Sequence, residues 1–405
     1  MLVAPSAVPI RRSIIPVPVS SQTARDSRHE RRAIVCEPRR KVNRWAGPVF
    51  SLGMSEQHPD IATDHPALRW KQARSNDGRD TKGMSVGSKH QFRFGVVNEQ
   101  PLPAGQWLGH VRRVEALGFD TFLLRDHLTP DYFGPQYAPL AALATAAACT
   151  STLRIGTLVI NNDFRHPAVL AKEIATLDVL SGGRVELGLG AGWLREEYSR
   201  AGLRYDSPGV RIDRLEETVQ LIKSLLQSHS TTSSGGHYAV DQLVSFPATV
   251  QRPHPPILIG GGKRRVLTLA GREADIVGIL TSDVASGRLV ADPAERSAAA
   301  VRQKLAWVRE GAGARYDDIE LSLVPTLHVT DDPEHAAHEL RTSNGWTSLS
   351  VAEVLAMPSV LIGDVATIAR TLEARRDEFG FSYYVISDHD IDAFAPVLAA
   401  LKRAA

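Results

Sequence analysis

The segment Leu153–Trp193, LRIGTLVINNDFRHPAVLAKEIATLDVLSGGRVELGLGAGW, predicts a strand, a helix and a second strand in succession. Its first part, Leu153–Ile160, is apolar and β-branched, as strands buried on both faces of a parallel sheet are. A helix is expected from Pro167, a residue suited to the first helical turn, to the glycines that follow Ser181. The second strand, Arg184–Leu187, then completes a predicted βαβ unit.

Three glycines, Gly188, Gly190 and Gly192, follow this second strand at alternate positions. Such spacing allows backbone amides to approach an anionic or heteroaromatic ligand at a helix N-terminus. An ordinary tight turn between a strand and a helix has the same pattern, so the glycines alone leave both interpretations open.

From Phe92 onward, short apolar runs alternate eight times with amphipathic stretches. The predicted strands are Phe92–Val97, Phe119–Leu124, Leu153–Ile160, Arg184–Leu187, Pro256–Ile259, Asp275–Leu280, Ile319–Val329 and Tyr383–Ser387. Eight alternations within one domain are typical of the α/β class and of a (β/α)8 TIM barrel. We therefore predict a barrel over residues 89–405, with insertions after strands 4 and 7 at Gln227–His254 and about Asp331–Leu361.

Residues 1–88 differ from the rest of the chain in charge. They hold 15 Lys and Arg against 8 Asp and Glu, a net charge of +7, whereas the whole chain carries +2 and residues 89–405 therefore carry 2 − 7 = −5. The segment is rich in Pro, Arg and Ser without apolar periodicity, which predicts a disordered basic extension.

The composition also restricts the class of protein. A net charge of +2 over 405 residues does not indicate a nucleic-acid-binding surface, and no apolar run reaches the roughly 18 residues of a membrane span. The two cysteines, Cys36 and Cys149, cannot form a disulfide framework or a metal site, and we expect a cytoplasmic protein without bound metal.

In a TIM barrel the chemistry lies in the loops that follow the strands. These loops contain Arg125-Asp126-His127, Asn161-Asn162, Ala191-Gly192-Trp193 with Glu196, and Gly260–Arg265. The last group combines glycines, a helix start and three cations, which favours a phosphate site, although a solvated turn would have the same residues. Asp126 and His127 suit acid–base chemistry, but a helix-capping aspartate beside a packed histidine is equally compatible with the sequence.

Several segments together resemble the bacterial luciferase-like superfamily of flavin- or deazaflavin-dependent oxidoreductases. They are GFDTFLLRDHL, GTLVINNDFRHPAVLAKEIATLD, SGGRVELGLGAGW, PILIGGGKRRVLTLAGREAD and LIGDVATIARTLEARRDEFGFSYYVIS, and the resemblance extends over about Phe92–Ala404. The Asp-His pair after strand two is most similar to the branch that uses coenzyme F420, an 8-hydroxy-5-deazaflavin.

The resemblance implies roles for individual residues. It places Asp126 beside the deazaflavin ring, where it would contact the ring or orient His127, the candidate proton donor or acceptor. The other implied cofactor contacts are Val159, in a Leu158–Val159 bulge with a non-proline cis peptide, Asn161, Ala191, Gly192 and Glu196, and a phosphate site at Gly261, Gly262, Lys263 and Arg265. Trp193 stands where the sugar-phosphate dehydrogenases of this branch have a catalytic glutamate, so their substrate is not implied.

The expected function is hydride transfer between coenzyme F420 and a small organic substrate, with the two insertions shaping the substrate pocket. An FMN-dependent monooxygenase and a non-catalytic flavin-binding barrel are the alternatives. The family resemblance also implies a homodimer that acts on small molecules, and the charge and the short apolar runs predict neither a nucleic-acid nor a membrane partner.

Overall fold

The computed structural model describes residues 90–404 except Gln100, Asp131, Tyr132, Ser286 and Ala291. The predicted N-terminal extension, residues 1–88, lies outside the described residues. Among the described residues, no helix has the length and apolar character needed to cross a membrane.

Strands alternate with helices along this part of the chain. The strands are β1 (Arg93–Asn98), β2 (Thr121–Leu124), β3 (Arg154–Thr157), β4 (Ile160–Asn161), β5 (Val185–Gly190), β6 (Ser230–Ser234), β7 (Ala239–Val244), β8 (Ile257–Gly261), β9 (Ile276–Ile279), β10 (Asp283–Ala285), β11 (Arg288–Val290), β12 (Glu320–Leu323), β13 (Thr326–Val329), β14 (Val360–Gly363) and β15 (Phe381–Ser387). The helices are α1 (Ala104–Ala116), α2 (Pro139–Cys149), α3 (Pro167–Ser181), α4 (Arg195–Arg200), α5 (Pro208–Gln227), α6 (Arg264–Glu273), α7 (Ala298–Ala312), α8 (Pro333–Ser343), α9 (Val351–Leu355), α10 (Val365–Phe379) and α11 (Ile391–Ala404).

Eight parallel strands form a closed barrel, as predicted. Strand β1 pairs with both β2 and β15, and the remaining neighbours follow in the order β3, β5, β8, β9 and β12. The main apolar core lies between these strands and the surrounding helices. A smaller apolar cluster fills the barrel interior and contains Val97, Leu123, Leu258, Ile276, Tyr383 and Val385.

The predicted third strand, Leu153–Ile160, is interrupted. β3 ends at Thr157, the Leu158–Val159 peptide bond is cis as the resemblance implied, and β4 then resumes the pairing with β5. Gly188 and Gly190 lie within β5, whereas the sequence analysis expected them in the loop after the strand. A Cβ on Gly188 would overlap the Thr157 carbonyl oxygen, and one on Gly190 would lie 2.6 Å from Val159 Cγ2. Gly188 and Gly190 therefore make room for the distorted neighbouring strand, and the fourth strand is longer than predicted.

The predicted seventh strand, Ile319–Val329, is wrong in its second half. Barrel strand β12 ends at Leu323, and β13 pairs instead with β14 in a separate two-stranded parallel sheet. Pro325 separates the two strands, and it has no N–H group to donate to a sheet ladder. The insertion after strand 7 thus has its own sheet and its own apolar cluster.

The other insertion is the hairpin β6–β7, which follows α5 rather than a barrel strand. Its turn is bound to α5, because the Glu217 carboxylate accepts hydrogen bonds from His237 N at 2.8 Å and Tyr238 N at 2.7 Å. The structure therefore gives no support for this hairpin as part of the substrate pocket. A short ribbon that sequence analysis missed, β10–β11, follows barrel strand β9, and Gly287 within it accepts a hydrogen bond from Arg195 N at 3.3 Å.

Buried charges occupy the N-terminal end of the barrel. The Arg93 guanidinium contacts Glu186, bonds Glu320 at 2.6 Å and stacks 4.4 Å over the Tyr383 ring. Burial raises the pKa of Glu320 to about 7, although the neighbouring Arg93 acts in the opposite direction. This end of the barrel is thus closed by an ion-pair network, and the loops of the opposite end carry the predicted functional residues.

Candidate active site

The predicted residues that follow strands two to four meet at the C-terminal end of the barrel, here called the mouth. Asp126 Oδ2 accepts a hydrogen bond from Asn161 N at 3.1 Å, which joins the loop after β2 to the end of β4. Gly192 lies against the same asparagine, since a Cβ on Gly192 would be 2.6 Å from Asn161 Oδ1. The Ala191 carbonyl accepts a hydrogen bond from Arg211 Nε at 3.2 Å, which holds the loop after β5 against α5.

His127 is oriented by a buried glutamate that the sequence analysis did not identify. Its Nδ1 lies 3.0 Å from Glu197 Oε1, and the Glu197 side chain is only 1% exposed. The same oxygen accepts hydrogen bonds from Leu128 N at 2.8 Å and Thr129 N at 3.3 Å. Because a carboxylate can only accept, it selects the tautomer with hydrogen on Nδ1. His127 Nε2 then carries the lone pair, and it has no hydrogen-bond partner among the residues that the structure describes.

Two aromatic rings flank the His127 imidazole. The Phe133 ring centroid lies 5.2 Å from that of His127, and the Trp193 centroid lies 5.9 Å away with the planes at 76°. Arg125 stacks 4.2 Å over Phe133 and bonds Glu99 at 2.7 Å. The candidate acid–base residue therefore has apolar surface on two sides.

Asp126 does not orient His127, contrary to one of its two expected roles. Its Oδ2 is bonded to Arg165 at 2.5 Å as well as to Asn161 N. Burial raises the pKa of the Asp126 carboxyl, and Arg165 partly offsets this effect. The ion pair with Arg165 instead joins strand two to the segment before α3. Contact between Asp126 and a cofactor ring stays a prediction.

Asn161 is fixed by a second buried network. Its Oδ1 accepts hydrogen bonds from Asp163 N at 3.1 Å and from the Tyr198 hydroxyl at 3.0 Å. Tyr198 is fully buried, which raises its pKa well above the ordinary tyrosine value, so it remains a neutral donor. The Asn161 amide nitrogen has no partner within the described part of the chain, and it is thus available as a donor to a ligand at the mouth.

The predicted phosphate group lies at the start of α6. Gly261 ends β8, Lys263 is the N-cap residue of α6, and no side chain caps the first-turn N–H groups. Lys263 Nζ bonds Glu295 at 2.7 Å and Asp283 at 2.9 Å, and the hydrogen bond with Glu295 is the main cause of its raised pKa.

Arg265 pairs with Asp213 on α5 and borders a groove of about 400 Å³ between α5 and α6. A Cβ on Gly262 would lie 3.0 Å from the Leu280 carbonyl oxygen, so this glycine permits close approach of the next loop. Both predicted cations are already paired with carboxylates, and within the described part of the chain the first-turn backbone amides of α6 receive no side-chain cap.

Glu196 is not brought to the group around His127. It is 45% exposed and bonds Arg200 at 2.5 Å on the surface of α4, whereas the next residue, Glu197, points inward. Leu194, the N-cap residue of α4, and Glu197 and Tyr198 within the helix are all buried, and their spacing of three and four residues is the sequence signal that favours Glu197 over Glu196. Val159, by contrast, lies at the mouth against the interior apolar cluster, as expected from its place in the bulge.

Known proteins with related sequences include dehydrogenases that use coenzyme F420. The chain is 31% identical over 245 residues to an F420-dependent glucose-6-phosphate dehydrogenase of Kribbella flavida, a match that covers 59% of this chain and 68% of that protein. It is 30% identical over 210 residues to an F420-dependent hydroxymycolic acid dehydrogenase of Mycobacterium tuberculosis, covering 51% of this chain and 58% of the other.

Solved structures show the same fold at lower identity. An F420-dependent secondary alcohol dehydrogenase in complex with an F420–acetone adduct superposes with a TM-score of 0.61 at 20% identity, covering 77% of this chain and 99% of the other. The F420-dependent tetrahydromethanopterin reductase of Methanopyrus kandleri superposes with a TM-score of 0.60 at 17% identity, covering 77% of this chain and 100% of the other. The family model described as luciferase-like monooxygenase matches residues 84–380, well over half of the chain, and the protein therefore belongs to the luciferase-like monooxygenase family.

Proposed function

We propose that this protein is a coenzyme F420-dependent oxidoreductase that transfers a hydride between the deazaflavin and a small organic substrate. The observation that supports it most directly is the buried His127–Glu197 pair at the mouth of the barrel. The F420-dependent dehydrogenases among its relatives support the choice of cofactor. The deazaflavin, when bound, supplies the hydride chemistry, and the protein has to bind the ring and move one proton.

The residues at the mouth fit a cofactor with a ring and a phosphate. Asn161 offers an amide nitrogen, and the Leu158–Val159 segment offers apolar surface. The N–H groups at the start of α6 would hold the phosphate, with Gly261 and Gly262 allowing close approach and Lys263 and Arg265 nearby. Asp126, Ala191 and Gly192 would contact the ring, whereas Glu196 in its observed position would not.

His127 is the proposed acid–base residue. During oxidation of a substrate hydroxyl, Nε2 accepts the hydroxyl proton, and during the reverse reaction it returns the proton to a carbonyl oxygen. The Glu197 carboxylate on Nδ1 compensates the positive charge that the imidazole acquires. Trp193 and Phe133 place aromatic surface on two sides of the imidazole during this transfer.

Two measurements test the proposal. Fluorescence titration of the full-length protein with F420 and with FMN should give tighter binding of F420, and preferential FMN binding would favour the monooxygenase alternative. His127→Ala should lower turnover about 10² to 10⁴-fold with F420 affinity changed by less than about threefold. A purely packing histidine predicts the reverse, namely lost stability or lost cofactor binding with turnover per bound cofactor preserved. Binding of F420 without hydride transfer to any substrate of a broad panel would indicate a non-catalytic barrel.

We also propose a cytoplasmic homodimer. The family resemblance supports the dimer, as do the largely exposed apolar side chains of Leu180 on α3 and Phe246 after β7. Cys149 forms no disulfide within the described residues, which is compatible with a reducing compartment. Light scattering of the purified protein should give twice the 44.1 kDa chain mass, and a value near one chain mass would refute the dimer.

A further inference from the structure

We infer that the active site proposed above takes a neutral substrate with an apolar or aromatic body next to the reacting carbonyl or hydroxyl carbon, and not a sugar phosphate. This inference rests on the proposed function and adds the substrate class to it. Two independent features of the mouth support it, namely the rings around His127 and the pairing of the nearby cations.

The first feature is the aromatic group formed by His127, Phe133 and Trp193. The centroids of Phe133 and Trp193 are 6.5 Å apart with their planes at 80°, and both rings contact the imidazole. Trp193 is held by its backbone as well, because its carbonyl accepts a hydrogen bond from the Tyr205 hydroxyl at 3.0 Å. A substrate carbon that reaches His127 Nε2 therefore lies against aromatic surface, which favours apolar and aromatic groups.

The second feature is that cations after three consecutive barrel strands already have partners. Arg125 is bonded to Glu99 and stacked on Phe133, and Arg165 is bonded to Asp126. Arg195 stacks 4.9 Å over the Tyr205 ring.

These partners make a doubly charged phosphate costly to bind. A phosphate that recruited Arg125 or Arg165 would leave the carboxylate of Glu99 or Asp126 without its cation, and Asp126 is deeply buried. An unpaired buried carboxylate is strongly unfavourable, so the gain from the phosphate contact is offset. A neutral substrate requires no such rearrangement.

The test compares 4-phenyl-2-butanone with glucose 6-phosphate on the full-length protein. Isothermal titration calorimetry with and without bound F420 measures binding independently of turnover, and hydride transfer is followed by the absorbance of the cofactor. The ketone should bind at least about tenfold more tightly than glucose 6-phosphate. Trp193→Ala should weaken ketone binding by about tenfold, and Trp193→Phe by less than about threefold, because phenylalanine retains aromatic surface. Phe246→Ala, which removes an exposed aromatic ring outside the mouth, should leave the ketone affinity within about threefold of the wild type.

Three outcomes would overturn the inference: glucose 6-phosphate binding as tightly as the ketone, an unchanged ketone affinity in Trp193→Ala, or no detectable binding of the ketone at about 10 mM. Failure of the proposed function is a separate result, since it would appear as absent F420 binding or as absent hydride transfer despite bound ketone.

Discussion

Replacement of Glu197 by glutamine isolates the charge that orients His127. Glutamine has nearly the same shape and keeps a carbonyl oxygen that can accept the Leu128 and Thr129 N–H groups. Its hydrogen bond to His127 Nδ1 is neutral instead of charge-assisted. A hydrogen bond to a charged group contributes about 1–1.5 kcal/mol more than a neutral one, so loss of the charge should lower turnover by about 5- to 13-fold. Cofactor affinity should hardly change, because Glu197 is buried behind the imidazole.

The assay is hydride transfer at saturating F420 over a range of pH. At each pH, turnover of Glu197→Gln should be lower than that of the wild type, because the hydrogen bond that orients His127 is no longer charge-assisted. Glu196→Gln is a matched control on the adjacent position, because Glu196 is exposed and, among the residues that the structure describes, bonds Arg200 alone. It should leave turnover within about twofold of the wild type.

Two results would refute this reasoning. Unchanged turnover in Glu197→Gln would mean that the glutamate only supports the loop. Equal losses of turnover in Glu196→Gln and Glu197→Gln would mean that the integrity of the short helix α4, and not the carboxylate bonded to His127, determines activity.

Three further predictions follow from the buried groups and the phosphate region. Because burial raises the Glu320 pKa to about 7, the folded state retains a proton that the unfolded state loses at lower pH. The free energy of unfolding should therefore fall as the pH rises from about 5 to about 7, and urea titrations should show a smaller fall in Glu320→Gln. Gly192→Ala should lower the free energy of unfolding by about 1–3 kcal/mol more than Gly202→Ala, as measured by thermal unfolding. Both glycines have φ near +70°, but only a methyl group at Gly192 would overlap the hydroxyl of the buried Tyr198, so equal losses of stability would contradict the packing argument. Lys263→Ala combined with Arg265→Ala should weaken F420 binding by about tenfold with an unchanged melting temperature. If the dissociation constant for F420 stays within about threefold of the wild type, the backbone amides of α6 alone donate hydrogen bonds to the phosphate.

The barrel could be predicted because its periodic signals are local. Buried parallel strands are continuous apolar runs, and helices α3 and α10 begin and end at residues with clear capping preferences, such as Pro167 and Gly380. The predicted seventh strand extended past the true end at Leu323, because Val324-Pro325 interrupts an apolar run whose two halves, β12 and β13, pair with different strands. Which partner a short strand takes depends on tertiary contacts that hydrophobic periodicity does not record.

The site could be predicted only to the level of the loops. The positions of His127, Asn161 and Gly192 follow from the rule that functional residues succeed barrel strands, and the structure brings all three to the mouth. The pairing of His127 with Glu197 joins residues 70 positions apart, so no local pattern indicates it. Glu196 and Glu197 are chemically identical, and only the direction in which α4 presents each side chain separates a surface ion pair from a buried carboxylate.

The consecutive residues Asp126 and His127 serve different purposes because their partners differ. Asp126 is neutralised by Arg165, so this pair adds little net charge to the mouth and joins two barrel strands. His127 is paired with Glu197, which has no cationic partner among the described residues other than the imidazole itself. The Glu197 carboxylate therefore orients the imidazole through Nδ1 and leaves Nε2 to exchange the proton with the substrate. Removal of Arg165 should thus affect the loops and the buried Asp126 without abolishing proton transfer, whereas removal of Glu197 should act on proton transfer directly.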